Sequence, residues 1–256
     1  MAVPGVVNYW PSTRCAKAFW GQHDLPPYRD LLTDTLDWAA PAAGEHWLDL
    51  GCGGGRVAGG LWERSGGALA AVTGVDCAAA NAAAFARLRA TLTPPPGDRL
   101  RFRCHDFSTG LDPFPTAAFD HAVSGLSISY AEHYDAAAGR WTTAAYDRLL
   151  AEVRRVVRPG GRFVFSVNVP DPAWAAVAWR SVPTLVGADR PVQRLKGAWR
   201  MMRYGRWLSA EARRGRFHYL PAATVADKLR AAGWAGVEYR LSYARQAFVF
   251  RTTNPG

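Results

Sequence analysis

The feature that most constrains this chain is a short apolar run that stops at a cluster of glycines. Residues 47–56 read Trp-Leu-Asp-Leu-Gly-Cys-Gly-Gly-Gly-Arg. An apolar run that ends at glycines is typical of a buried strand entering a tight turn, and residues 57–64 then favour a helix. Glycines in the turn permit positive φ and leave space for a ligand beside the backbone. The segment therefore predicts a strand, a ligand-binding loop and a helix, with a glycine-rich turn that binds nothing as the alternative.

Three classes of ligand use such a loop, and the residues around the glycines separate them. A phosphate-binding P-loop needs Lys followed by Ser or Thr after its last glycine, whereas Arg-Val stands at 56–57. A dinucleotide site prefers Gly-x-Gly-x-x-Gly and holds pyrophosphate at the helix terminus. Here Gly-x-Gly-x-Gly spans 51–55, and Asp49 precedes it. A carboxylate at that place repels pyrophosphate but suits an ammonium and a sulfonium, which favours S-adenosylmethionine.

Composition limits the class of protein further. The chain has 256 residues, 49% of them hydrophobic, which is typical of a globular protein with a large core. The net charge of +10 favours a partner with negative charge, such as nucleic acid, an anionic membrane or an acidic substrate. The four cysteines form no Cys-x-x-Cys pair, so we expect neither a metal site nor a disulfide framework. With no signal-peptide pattern and no run of about 18 apolar residues, we expect a cytoplasmic protein that can still rest on a membrane.

Strand and helix patterns alternate between residues 45 and 168. After the first strand, the pattern predicts strands at 69–75, 100–104, 121–126 and 162–167 and helices at 78–91 and 143–157. Such alternation is typical of a parallel, doubly wound α/β sheet whose ligand loops lie at the carboxyl ends of the strands. A helix at 222–232 and strands at 237–243 and 246–251 predict a final antiparallel hairpin. We therefore expect a Rossmann-like, seven-stranded, mostly parallel sheet.

Residues 45–170 resemble a class I S-adenosylmethionine-dependent methyltransferase, in the broad group that includes quinone-biosynthesis and other small-molecule enzymes. The matching blocks are Leu-Asp-Leu-Gly-Cys-Gly at 48–53, Gly-Val-Asp at 74–76, His-Asp-Phe at 105–107, Phe-Asp-His-Ala-Val-Ser at 119–124, and the stretch 150–166 around Arg-Pro-Gly-Gly. The order and spacing of several blocks make the likeness specific. It covers about half of the chain.

The resemblance implies a set of residues that bind S-adenosylmethionine. They are Asp49, Gly51, Cys52 and Gly53 around the methionine part, Asp76 at the ribose hydroxyls, Cys77, Asp106 and Phe107 around the adenine, and Ser124 near the methyl group. Cys77 departs from the family, which often has a larger apolar residue there. An acid at the end of the second strand is also the device by which dinucleotide folds hold a ribose.

The chain divides into four parts on this reading. We expect an N-terminal helical cap at 1–44, the S-adenosylmethionine-binding core at 45–170, an insertion at 171–219 that forms a substrate lid, and a final helix and hairpin at 220–256. The insertion carries ten basic residues, three acidic residues and seven aromatic ones. Its helical pattern ends near Gly205, with apolar Val192, Leu195, Trp199 and Met202 on one side and Lys196, Arg200 and Arg203 beside them. This pattern suits contact with an anionic membrane, and a packed lid with a solvated basic face is the alternative.

The chemistry asks little of the protein beyond alignment. Methyl transfer from a sulfonium is an in-line displacement that needs orientation and exclusion of water. A phenol or ammonium acceptor must also lose a proton, for which the candidate bases are Tyr130, His133 and His218, each with a structural role as the alternative. Residues 124–127 replace the Asn/Asp-Pro-Pro-Tyr block of base amino-methylation. We therefore expect methyl transfer to a small, apolar acceptor such as a lipid or quinone precursor, with an RNA methyltransferase or a non-catalytic S-adenosylmethionine-binding protein as alternatives.

Overall fold

A computed structural model describes residues 10–12, 25–181 and 191–256, and only the backbone of 191–201. The helices are α1 Pro26–Ala39, α2 Arg56–Arg64, α3 Asn81–Thr91, α4 Ala144–Val156, α5 Trp174–Ser181, α6 Pro191–Arg213 and α7 Ala222–Ala231. The strands are β1 His46–Leu50, β2 Ala71–Asp76, β3 Leu100–Cys104, β4 His121–Gly125, β5 Tyr134–Asp135, β6 Arg140–Trp141, β7 Arg162–Asn168, β8 Ala235–Ser242 and β9 Ala247–Thr253.

The main sheet has the order β3-β2-β1-β4-β7-β9-β8. The first five of these strands run parallel, and β9 pairs antiparallel with both β7 and β8. This confirms the predicted doubly wound, seven-stranded sheet with a terminal hairpin. The strand order reverses between β1 and β4, where crossovers leave on opposite faces and open a crevice at the carboxyl ends of the strands.

Helices cover both faces of the sheet, which explains why its central strands β1, β2, β4 and β7 are buried along nearly their whole length. On one face α4 packs through Tyr146, Leu149, Leu150 and Val153, whose spacing places them on one side of the helix. On the other face α1, α2 and α3 bury a second apolar cluster around Trp47 and Trp62. Burying side chains on both faces fixes the sheet as a rigid base for the loops at its carboxyl edge.

The N-terminal cap is described in part. Helix α1 lies in the predicted cap at 1–44 and packs against the sheet through Leu31 and Leu36. Residues 1–9 and 13–24 lie outside the described residues, so the rest of the cap stays a prediction.

The described part of the insertion contains two helices. Helix α6 continues past Gly205, where the predicted amphipathic pattern ends, to Arg213. A Cβ on Gly205 would lie 2.6 Å from the ring of Trp174, so this glycine permits a close contact between α5 and α6. The predicted apolar side of 192–199 lies outside the described side chains. In the described part, Met202 and Arg203 are both exposed.

Neither membrane spanning nor metal binding finds support in the part of the chain that the structure describes. Within it, no helix combines the length and apolar character that crossing a bilayer requires. Likewise, its His, Cys, Asp and Glu side chains form no group of three that could hold a metal ion.

Candidate active site

A cavity of about 210 Å³ lies at the carboxyl ends of the parallel strands, beneath α5 and α6. Loops after β1, β2, β3 and β4 line it, together with the end of β7 and the start of α1. The strand order sets acidic residues after β2 and β3 at one end and residues after β4 and β7 at the other. We call these the acidic end and the aromatic chamber, the latter formed by the rings of Trp10, Tyr28, Tyr130, Trp174, Tyr204 and Tyr243.

The glycine loop follows β1 as predicted and borders the cavity. Gly51, Gly53 and Gly55 all have positive φ, at 66°, 51° and 87°. A side chain on Gly51 would collide with Ser127, whereas a Cβ on Gly53 would meet nothing within 4 Å. Both Gly51 and Cys52 donate their backbone N–H to the carbonyl of Val75, at 2.8 and 3.0 Å. These hydrogen bonds fix the loop to β2, and the space next to Gly53 stays open.

Asp76 ties this loop to the next one and lines the cavity. Its Oδ2 accepts the N–H of Gly53 at 2.9 Å, and its Oδ1 accepts the N–H of Ala78 at 2.8 Å. Burial raises the pKa of Asp76, against the lowering effect of these hydrogen bonds. Each oxygen of the carboxylate has a further lone pair that the backbone N–H group bound to it does not use. Asp76 can therefore still accept hydrogen bonds from a ligand.

The other predicted adenine contacts lie at the same acidic end. Asp106 lines the cavity, and its Oδ1 accepts the N–H of Ser108 at 2.9 Å, which caps the turn at Phe107–Thr109. Phe107 and Cys77 line the cavity beside it. Burial raises the pKa of the Cys77 thiol, so the side chain is a neutral, polarizable surface.

Asp49 and Ser124 stand behind the cavity wall. Asp49 is fully buried, its Oδ2 accepts the N–H of Ala58 in α2 at 3.1 Å, and its Oδ1 has no hydrogen-bond partner. Burial raises its pKa to about 7. Ser124 is also fully buried and donates to the carbonyl of Leu50 at 2.8 Å. Neither lines the cavity; Ser127, which the sequence did not single out, does so in the place of Ser124.

Tyr130 lines the aromatic chamber, as its position after β4 predicts. Its Oη lies 2.9 Å from the Oη of Tyr219, and Asn168 Nδ2 donates to it at 3.4 Å. Burial raises the pKa of Tyr130 to about 12. The phenol is therefore protonated at neutral pH, so it can position an acceptor but is poorly suited to remove a proton.

The two candidate histidines do not line the cavity. His133 Nδ1 lies 2.7 Å from Thr142 Oγ1, beside the β5–β6 hairpin. His218 is 3% exposed, its Nε2 donates to the carbonyl of Ala131 at 3.1 Å, and burial lowers its pKa. It therefore holds the loop beneath Tyr130 as a neutral side chain. The geometry offers neither histidine to a molecule in the cavity.

A buried charge cluster holds the end of the insertion against the loop after β4. Arg216, beyond the end of α6, pairs with Glu132 at 2.8 Å and with Glu211 at 3.5 Å. Trp10 Nε1 donates to Glu132 Oε1 at 3.1 Å. Because the side chains of Arg216 and Glu132 are only 6% and 10% exposed, removing one partner would leave the other charge buried and unpaired. The cluster thus joins α6, the loop after β4 and the N-terminal residue Trp10 beside the aromatic chamber.

Residues 48–165 match the sequence model of a family described as a methyltransferase domain. No curated protein sequence matches the chain. Among solved structures, the fold is similar to a chain of the complex between the Haloferax volcanii Trm112 methyltransferase activator and a methyltransferase, with TM-score 0.61, 18% identity and 95% of each chain covered.

Two further solved structures share the fold. An S-adenosylmethionine-dependent methyltransferase from Aquifex aeolicus has TM-score 0.59 and 12% identity, over 94% of this chain and 97% of that one. The N-methyltransferase NodS from Bradyrhizobium japonicum, in complex with S-adenosylhomocysteine, has TM-score 0.57 and 17% identity, over 93% and 92%.

Proposed function

We propose that this chain is a class I S-adenosylmethionine-dependent methyltransferase whose acceptor is a small, largely apolar molecule such as a lipid or quinone precursor. The methyltransferase domain matched at residues 48–165 and the topology of the sheet support the activity. The observation that carries the proposal is the aromatic chamber, which closes one end of the cavity under α5 and α6. Apolar walls with few polar groups are typical of small-molecule sites.

The residues present fit S-adenosylmethionine at the other end of the cavity. Carboxylates of Asp76 and Asp106 can accept from the ribose and the adenine amine, and open space borders Gly53. The methionine part would then lie along the glycine loop toward Ser127 and Tyr130. In this placement the sulfonium methyl group faces the aromatic chamber, where the protein's task is to align an acceptor and exclude water.

The lining of the cavity disfavours RNA as the acceptor. Among the described lining residues, Arg56 alone is basic, and it starts α2 beside the glycine loop. A site for single-stranded nucleic acid combines stacking rings with a positively charged groove that follows the phosphates. Here the rings are enclosed by the lid, whereas the described basic side chains of the lid, such as Arg203 and Arg206, are exposed.

The proposal predicts that the purified protein releases S-adenosylhomocysteine only when a small apolar acceptor is supplied. The panel of acceptors should contain 2-phenylethylamine and 4-ethylphenol, which are matched in shape. It should also contain a quinol and a short RNA. Product formation is measured by mass spectrometry, with Asp76→Ala as the control that should bind the cofactor much more weakly. Methylation of RNA alone would contradict the proposal. Binding of S-adenosylmethionine without turnover of any acceptor would identify a non-catalytic binding protein.

We further propose that the outer face of the lid meets an anionic membrane. Trp179 on α5 is 78% exposed, and its neighbour Arg180 is exposed beside it. On α6, Arg203 and Arg206 are exposed as well. An exposed tryptophan among basic side chains suits the membrane interface, where the ring enters the headgroup region and each basic residue adds about 1 kcal/mol of attraction.

This membrane contact predicts co-sedimentation with vesicles that contain phosphatidylserine and none with neutral phosphatidylcholine vesicles. Trp179→Ala should remove the part of the binding that survives high salt, because salt screens the charges but not the ring. Tyr239→Ala, which removes a ring that is 49% exposed on the edge strand β8, is the control and should bind like the wild type. Equal binding to neutral vesicles, or none to either, would contradict the contact.

A further inference from the structure

Asn168 is the polar side chain in the aromatic chamber whose hydrogen bonds are incomplete. It ends β7, lines the cavity and is only 2% exposed. Its Nδ2 donates to Tyr130 Oη at 3.4 Å, whereas its Oδ1 is buried without a hydrogen-bond partner. Leaving such an acceptor unsatisfied costs about 1–3 kcal/mol. A ligand in the chamber that donates a hydrogen bond would recover that cost.

The rings that line the chamber with this amide favour positive charge. Tyr130 contacts the amide directly, since Asn168 Nδ2 lies 3.4 Å from its Oη, and the other rings of the chamber border the same cavity. An aromatic face that borders the cavity attracts a cation that is removed from water. No histidine, lysine or carboxylate is among the described residues of the chamber. Burial raises the pKa of Tyr130 and of Tyr243, so neither phenol is suited to accept a proton at neutral pH.

These features discriminate between acceptor nucleophiles. An alcohol or phenol is a weak nucleophile until it loses its proton, and it therefore gains from a base within reach. A neutral amine already carries a free lone pair, and it gains positive charge as it reacts. A chamber without a described base, but with rings and an unpaired amide oxygen, suits the amine.

We propose that the methyl acceptor is an amine, and that Asn168 Oδ1 accepts a hydrogen bond from an N–H group of this amine. The rings of the chamber border the amine nitrogen. This inference rests on the proposed function and narrows it to N-methylation. The nitrogen lone pair forms the new N–C bond as the C–S bond breaks, and the electron pair of that bond stays on sulfur as the thioether of S-adenosylhomocysteine. The positive charge passes from sulfur to nitrogen, and the methylated ammonium loses its proton to water after release.

The first test compares acceptors of matched shape: 2-phenylethylamine, its less basic analogue 2,2-difluoro-2-phenylethylamine, and 4-ethylphenol. Because only the neutral amine reacts, kcat/KM should rise with pH and level off at the pKa of the amine itself. That inflection should therefore move to lower pH with the fluorinated amine. A preference for the phenol, or an inflection at the same pH with both amines, would overturn the proposal.

The second test assigns the role to Asn168. Asn168→Leu keeps the bulk of the side chain but loses the acceptor oxygen, so kcat/KM for amines should fall about 5- to 20-fold, as expected for one hydrogen bond of about 1–2 kcal/mol. Asn168→Asp keeps an acceptor and should restore amine methylation. The negative charge of the aspartate favours the ammonium form of the bound amine. The inflection of kcat/KM against pH should therefore move to higher pH.

The matched control is Ser242→Ala, which removes a different buried oxygen without a partner, a hydroxyl outside the cavity lining. Affinity for S-adenosylhomocysteine should be unchanged in all three variants, because the acidic end is untouched. Equal losses for Asn168→Leu and Asn168→Asp would contradict the hydrogen bond. Failure of the proposed function looks different, since no acceptor of any class would then be methylated.

Discussion

Replacing Asp76 with alanine is expected to weaken binding of S-adenosylmethionine by a factor of about 30 to 1000. The variant loses hydrogen bonds to the ribose hydroxyls, which together contribute about 2–4 kcal/mol when the acceptor is charged. It also frees the N–H groups of Gly53 and Ala78, which Asp76 accepts at 2.9 and 2.8 Å, so the glycine loop loses its connection to β2. Isothermal titration calorimetry with S-adenosylhomocysteine measures the loss without turnover.

Two variants separate the local effect of Asp76 from a change in charge. Asp76→Asn keeps one acceptor oxygen and should lose less affinity than Asp76→Ala. Asp227→Ala removes an acid whose side chain is 76% exposed on α7, and its affinity should equal that of the wild type. Unchanged affinity in Asp76→Ala would remove this residue from the cofactor site.

Asp49→Asn is expected to stabilise the protein at pH 8 while weakening its preference for S-adenosylmethionine. Burial raises the pKa of Asp49 to about 7 in the folded state, whereas an unfolded chain has the ordinary value of about 4. Between these two values the folded state keeps a proton that the unfolded state has released. The free energy of unfolding of the wild type therefore falls as pH rises from about 4 to about 7, by about 2–4 kcal/mol.

The asparagine variant has no such proton, so its advantage over the wild type should grow across that pH range and level off above about pH 7. Urea unfolding at pH 4.5, 6 and 8 measures it. In the same variant, the ratio of affinities for S-adenosylmethionine and S-adenosylhomocysteine should fall, because only the former carries a sulfonium that a carboxylate attracts. A stability difference that is constant with pH would show that Asp49 is ionised normally in the fold.

The sheet was predictable because its signal is local. Strand β3 has the predicted bounds, β4 and β7 differ from prediction by one residue at the end, and β2 begins two residues later and ends one residue later than predicted. A buried parallel strand is apolar along its length and stops at glycine or an acid, and both signals lie within ten residues. The acidic end followed for the same reason, since Asp76 and Asp106 stand directly after strands.

The aromatic chamber was not predictable in the same way, because its members come from distant segments. The chamber brings together Tyr28, Asn168 and Tyr243, which become neighbours only when α1, β7 and the final hairpin have packed. Their spacing along the chain does not predict this proximity. The aromatic residues of the insertion, which include Trp174 and Tyr204 of the chamber, were the available signal. The role of Gly205 could not be predicted for a related reason: a glycine shows that two helices pack closely only once its partner, Trp174, is known.

The most direct test of the central claim is a crystal structure of the protein with S-adenosylhomocysteine. We expect the ribose hydroxyls to lie within hydrogen-bonding distance of Asp76 and the adenine to lie beside Asp106. The sulfur should face Tyr130 and Asn168, with the aromatic chamber open beyond it. Adenine stacked among the rings of the chamber, with the sulfur directed to the acidic end, would contradict the proposed cofactor site.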